Sequence, residues 1–199
     1  MAESPLAPLG PVVVASANPA KVAELRAILG GKLDLVPRPD DVDEVEETED
    51  DFEGNARLKA TALVGATAMA AIADDSGLEV DFLEGAPGVR SARYAGESAT
   101  DQQNVAKLLS VLEGVPIGRR RARFRCVLVL LAPDGGEVVA HGSVEGTITE
   151  QPRGQDGFGY DPVFVPSDGD GRTFAEMTGA EKHSISHRAR AAAALIDRI

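Results

Sequence analysis

Cysteine is almost missing from this chain: Cys126 stands alone among 199 residues, inside an apolar run. One thiol cannot close an intramolecular disulfide, so the chain reads as intracellular with a buried, inert cysteine. Histidine is nearly as scarce, and His141, His183 and His187 have no spaced cysteine partners, which excludes a zinc pattern. No apolar stretch approaches the length of a membrane span. Glu3 and three early prolines stand where a signal peptide would place basic and then hydrophobic residues. A cytoplasmic protein without a membrane partner is the expectation. Positive charge is also short, with 20 Lys and Arg against 32 Asp and Glu and a net charge of -12. Such a surface repels polyanions, so stable nucleic-acid binding is not expected. Aromatic residues make up only 4% of the chain, so a Phe and a Tyr within one loop stand out.

What is present suffices for one sizeable core, since 43% of the residues are hydrophobic. With no repeat and no low-complexity linker, residues 1–199 read as a single catalytic-size domain with a loose N-terminus over 1–10. Pro11 to Ser16 predicts a strand, and Asn18-Pro19 opens a helix that turns Val22, Leu25 and Ile28 inward. Leu33 to Val36 is a second short strand. Asp40 to Glu53 carries ten carboxylates and no basic residue, the signature of a solvated loop. A long helix from Phe52 to about Met69 leads into a strand at Ala71 to Ala73. Leu83 to Gly96, rich in glycine and proline, predicts an extended surface loop. Thr100 and Gln103 resemble a capping box ahead of a helix with Val105, Leu108, Leu109 and Leu112 on one face. Arg123–Leu131 and Glu137–Val144, joined across Asp134-Gly135-Gly136, predict a hairpin, and Ser186–Ile199 a final helix. The fold class is α/β, a mixed central sheet with flanking helices.

Four constellations bear chemically reactive groups. Ala71 to Ala73 deliver Asp74 and Asp75 to a strand end, followed by Ser76 and Gly77. Two carboxylates there suit a hard cation, although Asp, Ser and Gly also make ordinary turns. Ser16-Ala17-Asn18-Pro19-Ala20-Lys21 ends a strand and starts a helix, where free amides and Lys21 attract phosphate. A capped helix start without anion binding explains the same residues, and the glycines of a P-loop are absent. Phe158-Gly159-Tyr160-Asp161, within a glycine-rich loop, offers rings that either stack on a base or fill a core corner. Near the C-terminus, Lys182, His187 and Arg188 are donors for carbonyl oxygens, or simply exposed charges at a helix end. Two patterns are set aside. The arginines from Arg119 to Arg125 read as a solvated strand edge rather than an RNA contact, and Asp168-Gly169-Asp170-Gly171 lacks the closing Glu of a calcium loop, with Gly179 there instead.

In order, SANPAK, FEGNARLKA, ADDSGLEVDFLEGAPGVRSARYAGE, PRGQDGFGYDPVF and KHSISHRARA resemble the inosine triphosphate pyrophosphatase family over Val12 to about Ala194. That resemblance implies an elongated fold of two lobes with the active site between them, and a homodimer. It implies magnesium-dependent hydrolysis of ITP, dITP and XTP, non-standard purine nucleoside triphosphates, to the monophosphate and pyrophosphate. By position it implies substrate contacts along Ser16, Ala17, Asn18, Pro19, Ala20 and Lys21, with Lys59 and Ser76 assisting at the triphosphate. Metal contacts fall on Glu47, Asp75 and the adjacent Asp74, and Asp75 is also the implied general base. Base recognition falls on Phe158, Gly159, Tyr160, Asp161, Lys182, His187 and Arg188. Gly54 stands where the family has a Glu, one place after Glu53, and Glu46 and Glu49 compete with Glu47 for the metal. Other readings are a pyrophosphatase for modified pyrimidine or standard nucleotides, and a non-catalytic nucleotide-binding protein.

Overall fold

The computed structural model describes residues 9–199, so most of the expected loose segment at 1–10 lies outside the described residues. β1 (Val12–Ala15) is buried along its length and pairs in parallel with β2 (Leu35–Val36) and with β3 (Ala70–Val80). Together with β4 (Arg121–Leu131), β5 (Glu137–Ile148) and β6 (Phe164–Pro166) they form a six-stranded sheet in the order β2-β1-β3-β4-β5-β6. β6 is antiparallel to β5, which makes the sheet mixed. Among the described residues no helix is long and apolar enough to cross a membrane.

The described residues divide into two compact units. One takes the chain up to Asp75 with Cys126–Gly142 and Arg188–Ile199; the other takes Ser76–Arg125 and Ser143–His187. In the first, Val12, Val14 and Ile72 pack with Leu25 and Leu29 of α1 (Pro19–Leu29) and with Ala191, Ala192 and Leu195 of α5 (His187–Ile196). In the second, Leu78 and Val80 pack with Val105, Leu108 and Leu112 and with Phe124, Phe164 and Phe174.

Local chemistry sets the helix starts. The Asn18 side chain accepts from the amides of Ala20 and Lys21 and Pro19 takes the first turn, which starts α1. Asp51 caps α2 (Phe52–Thr67), and Ala68 closes it in the left-handed region at φ 54°. Thr100 and Gln103 form the expected capping box on α3 (Asp101–Val111). Thr178 and Glu181 form another, starting a helix that the sequence reading omits, α4 (Gly179–Ile185). Ser186 is extended and separates α4 from α5, which is the C-terminal helix expected over Ser186–Ile199.

Two further expectations are corrected. The strand that the sequence ends at Asp74 continues through Asp75, Ser76 and Gly77 to Val80, so the acidic pair lies in mid-strand and not in a turn. The register with β1 ends at Ala73, so β4, the other neighbour of β3, sustains the strand beyond it against the poor strand propensity of Asp and Gly. The 83–96 segment is not extended but coiled into 3-10 turns at Asp81–Leu83 and Gly88–Arg93, because the Ser91 hydroxyl accepts from the Leu78 amide at 2.8 Å and donates to the Gly88 carbonyl at 2.6 Å. The arginine cluster is structural in part: buried Arg120 donates to the carbonyls of Leu112, Val115 and Thr149.

Candidate functional site

Strand alternation sends consecutive side chains to opposite faces, and in β3 this separates the two carboxylates. Asp74 follows Ile72 toward α1 and α5. Its Oδ1 lies 2.8 Å from Lys21 Nζ, and its Oδ2 accepts from Arg188 Nε at 3.0 Å and from the Cys126 thiol at 3.1 Å. Glu24 of α1 pairs with the same Arg188 guanidinium. Burial alone raises the Asp74 pKa, but Arg188, Lys21 and Lys59 outweigh it and hold the carboxyl well below the usual range. Cys126 goes the other way: burial and the adjacent Asp74 charge push its thiol up, which keeps it inert as expected. Asp74 is therefore an anchor for cations, with its carboxylate on the face of β3 opposite that of Asp75.

Asp75 faces α2. Lys59 Nζ donates to Asp75 Oδ1 at 3.3 Å, to Glu47 Oε1 at 2.9 Å and to the Asp74 carbonyl at 2.7 Å. Burial raises the Asp75 pKa, Lys59 opposes it, Glu47 adds to it, and the result is about 6. The Lys59 ammonium is destabilised by burial, yet Asp75, Glu47 and Asp74 more than compensate, so its pKa is raised and it stays charged.

Of the three candidate acids in the run, Glu47 is half-buried against Lys59, while Glu46 and Glu49 are exposed. Fully buried Asn55 accepts from the Glu49 amide at 3.0 Å and donates to the Glu49 carbonyl at 3.2 Å, pinning the loop two residues beyond Glu47. A Cβ on Gly54 would come within 2.7 Å of the Glu49 side chain, so glycine at this position suits the close approach of the loop. Glu53 does not replace the family Glu in the site; it pairs with Arg57 at 2.7 Å and His141 at 3.3 Å.

Asp75 Oδ2 is buried and takes no hydrogen bond. An orphaned carboxylate oxygen costs free energy unless a cation or proton meets it. Among the described residues no group of three or more His, Cys, Asp and Glu side chains gathers as a cage. Glu47 and Asp75 form instead a two-carboxylate set, which fits magnesium because that ion takes one or two protein carboxylates and completes its shell with water and phosphate oxygens.

At the start of α1, Ser16 Oγ accepts from the Asn18 amide at 3.2 Å, and Asn18 Oδ1 occupies the Ala20 and Lys21 amides. Ala17, Asn18 and Pro19 are exposed, and Ala20 is half-buried. The capped-helix reading is thus realised here, with Lys21 projecting to Asp74.

The second unit contains the other group of motif residues. Asp161 Oδ2 accepts from the Phe158 amide at 2.9 Å and from Lys182 Nζ at 2.6 Å, and Lys182 lies over the Phe158 ring at 4.7 Å. Both partners of this ion pair are buried, where paired charges require good geometry to offset desolvation. Tyr160 donates its hydroxyl to the Ser91 carbonyl at 2.9 Å and is buried, so this ring fills the core, whereas Phe158 is half-buried. The His187 ring stacks on Phe124 at 4.8 Å and 11°. Ser76, half-buried, follows Asp75 on β3.

Glu24 was absent from the sequence reading, although a carboxylate three residues after Lys21 in an inward-facing helix was its visible signal. Cys126 was read only as buried, and its bond to Asp74 has no local signal.

The sequence profile of the Ham1 family matches residues 12–198, and the chain belongs to that family. It is 53% identical over 191 residues to the dITP/XTP pyrophosphatase of Escherichia coli strain K12, covering 94% of this chain and 96% of that one. The dITP/XTP pyrophosphatase of Bacillus licheniformis is 49% identical over 187 residues, covering 90% and 93%. Among solved structures, a HAM1 protein from Coxiella burnetii superimposes with a TM-score of 0.85 at 40% identity, covering 94% of this chain and 96% of that one. The family resemblance carried by the five motifs is borne out.

Proposed function

We propose that this chain hydrolyses dITP, ITP and XTP to the nucleoside monophosphate and pyrophosphate, removing non-standard purines from the nucleotide pool. The observation that carries the reading is the buried Asp75 carboxylate, with one oxygen on Lys59 beside Glu47 and the other orphaned. Glu47 and Asp75 would hold a divalent cation, magnesium by the family resemblance, which when bound supplies positive charge toward the phosphate oxygens. Asp75 would take a proton from the attacking water, the role the family resemblance gives it. The water oxygen bonds to the α-phosphorus, the α–β anhydride bond breaks, and pyrophosphate leaves with the electron pair. Lys59 and Lys21 offset phosphate charge, with Ser16, Asn18 and Ser76 as further polar contacts.

Phe158 supplies a stacking face and Lys182 a donor for a 6-oxo group; the 6-amino group of adenine would set a donor against a donor. Arg188 pairs with Asp74 and Glu24, and Lys182 with Asp161 beside the Phe158 ring, so Lys182 is the donor that lies next to the proposed stacking face. The family resemblance adds a two-lobed catalytic domain over 1–199, a homodimer and a cytoplasmic location.

Hydrolysis in 18O-labelled water tests the reaction: label is expected in the monophosphate alone, and label in pyrophosphate contradicts attack at the α-phosphorus. Asp75→Asn is expected to lower kcat by about 10²–10⁴-fold with the fold intact; retained activity removes Asp75 as the base. Turnover of dTTP, UTP or modified pyrimidine triphosphates at rates matching ITP favours the pyrimidine reading instead.

A further inference from the structure

We infer that Asp101, the first residue of α3, is a positioning residue for base recognition, an inference that rests on the proposed role of the Phe158 loop. Asp101 Oδ2 accepts a hydrogen bond from the Gly159 amide at 2.7 Å, across 58 residues of sequence. An acid in the first turn of a helix is ordinarily explained by the helix dipole. Here the carboxylate is also spent on one loop amide, and that amide belongs to the residue next to Phe158.

Gly157 and Gly159 have φ of 75° and 61°, backbone states that side chains disfavour. On one side the loop is held by the Gln155 and Asp156 amides, both on the Ala175 carbonyl, and by Lys182 on Asp161. The Phe158 amide bonds to Asp161 and the Asp161 amide to the Phe158 carbonyl, both inside the loop. Two bonds lead out of it toward α3. One is Asp101 to Gly159. The other runs from Tyr160 to the Ser91 carbonyl, in a segment that Asn104 of α3 holds through the Ala92 carbonyl at 2.9 Å and the Ala95 amide at 2.8 Å. The capping box of Thr100 and Gln103 fixes Asp101 at the start of its helix. The N-terminal half of α3 thus holds the backbone on the C-terminal side of Phe158, between that ring and Asp161, the partner of Lys182.

The test compares Asp101→Ala, Asp101→Asn and Phe158→Ala by steady-state kinetics on ITP and ATP, with inorganic tripolyphosphate as an inhibitor that has phosphates and no base. Asp101→Ala is expected to raise KM for ITP about fivefold, the loss of one accessible charge-assisted hydrogen bond, with kcat less changed and the ITP-to-ATP preference reduced. Inhibition by tripolyphosphate stays at the wild-type value. Asp101→Asn restores the ITP parameters, because its amide oxygen accepts the same bond. Wild-type KM and preference in Asp101→Ala overturn the inference, as does an equal weakening of tripolyphosphate, which would mark general damage. Unchanged ITP kinetics in Phe158→Ala instead remove the base-binding role of the loop on which the inference stands.

Discussion

Asp74 and Asp75 are neighbours in sequence with opposite titration behaviour: at Asp74 the charges of Arg188 and Lys21 outweigh burial, whereas at Asp75 burial, with Glu47 adding to it, outweighs Lys59. Asp75 has a folded pKa raised to about 6 from an ordinary 3.8, so its protonated form is the one the fold prefers. In metal-free protein its contribution is neutral below pH 4, becomes unfavourable as pH rises from 4 to 6, and is fully unfavourable above that range. Asp74 has the opposite sign: its folded pKa is lowered, so it stabilises above the ordinary carboxylate range and that stability is lost in acid. In EDTA, Asp75→Asn is expected to match the wild type near pH 4 and to exceed it by roughly 2–3 kcal/mol above pH 7 in urea unfolding. A pH-independent difference contradicts the assignment. None of this was legible in Asp74-Asp75 alone, since the deciding partners, Lys21, Lys59, Cys126 and Arg188, are brought in by the fold.

At the scale of elements, legibility followed the range of the interactions. Asn18-Pro19 and the Thr100–Gln103 box announce α1 and α3 because caps are local, and the Thr178–Glu181 box is an equally local signal for α4. The full length of β3 is not legible locally, because its continuation past Asp75 depends on a neighbouring strand. The acidic loop was read as merely solvated, since nothing in its ten carboxylates shows that Asn55, a residue of the following helix, clamps Glu49. Asn55→Ala is expected to lower stability by about 1–3 kcal/mol, leaving the Glu49 backbone groups unpartnered, and to increase proteolysis within residues 40–51. Protection equal to the wild type contradicts the clamp. Gly54→Glu, which writes the family residue into this chain, meets the Glu49 side chain at 2.7 Å and is expected to lower the melting temperature unless the loop shifts.

For the whole molecule, composition bounded the answer and the ordered motifs selected within it. A net charge of -12 argued against a nucleic-acid partner, and the five motifs, each ambiguous alone, fell on the cation-rich group around Asp74 and Asp75 and on the Phe158–Lys182 group. Size-exclusion chromatography with light scattering is expected to give a dimer of the 20.8 kDa chain; a monomer at micromolar concentration contradicts that part of the family-based reading. The central claim is most directly tested by kcat/KM for ITP and ATP in the presence of magnesium, with pyrophosphate as the detected product. Pyrophosphate release is expected with ITP preferred by on the order of a hundredfold or more. Equal values for the two substrates, or orthophosphate as the product, would contradict it.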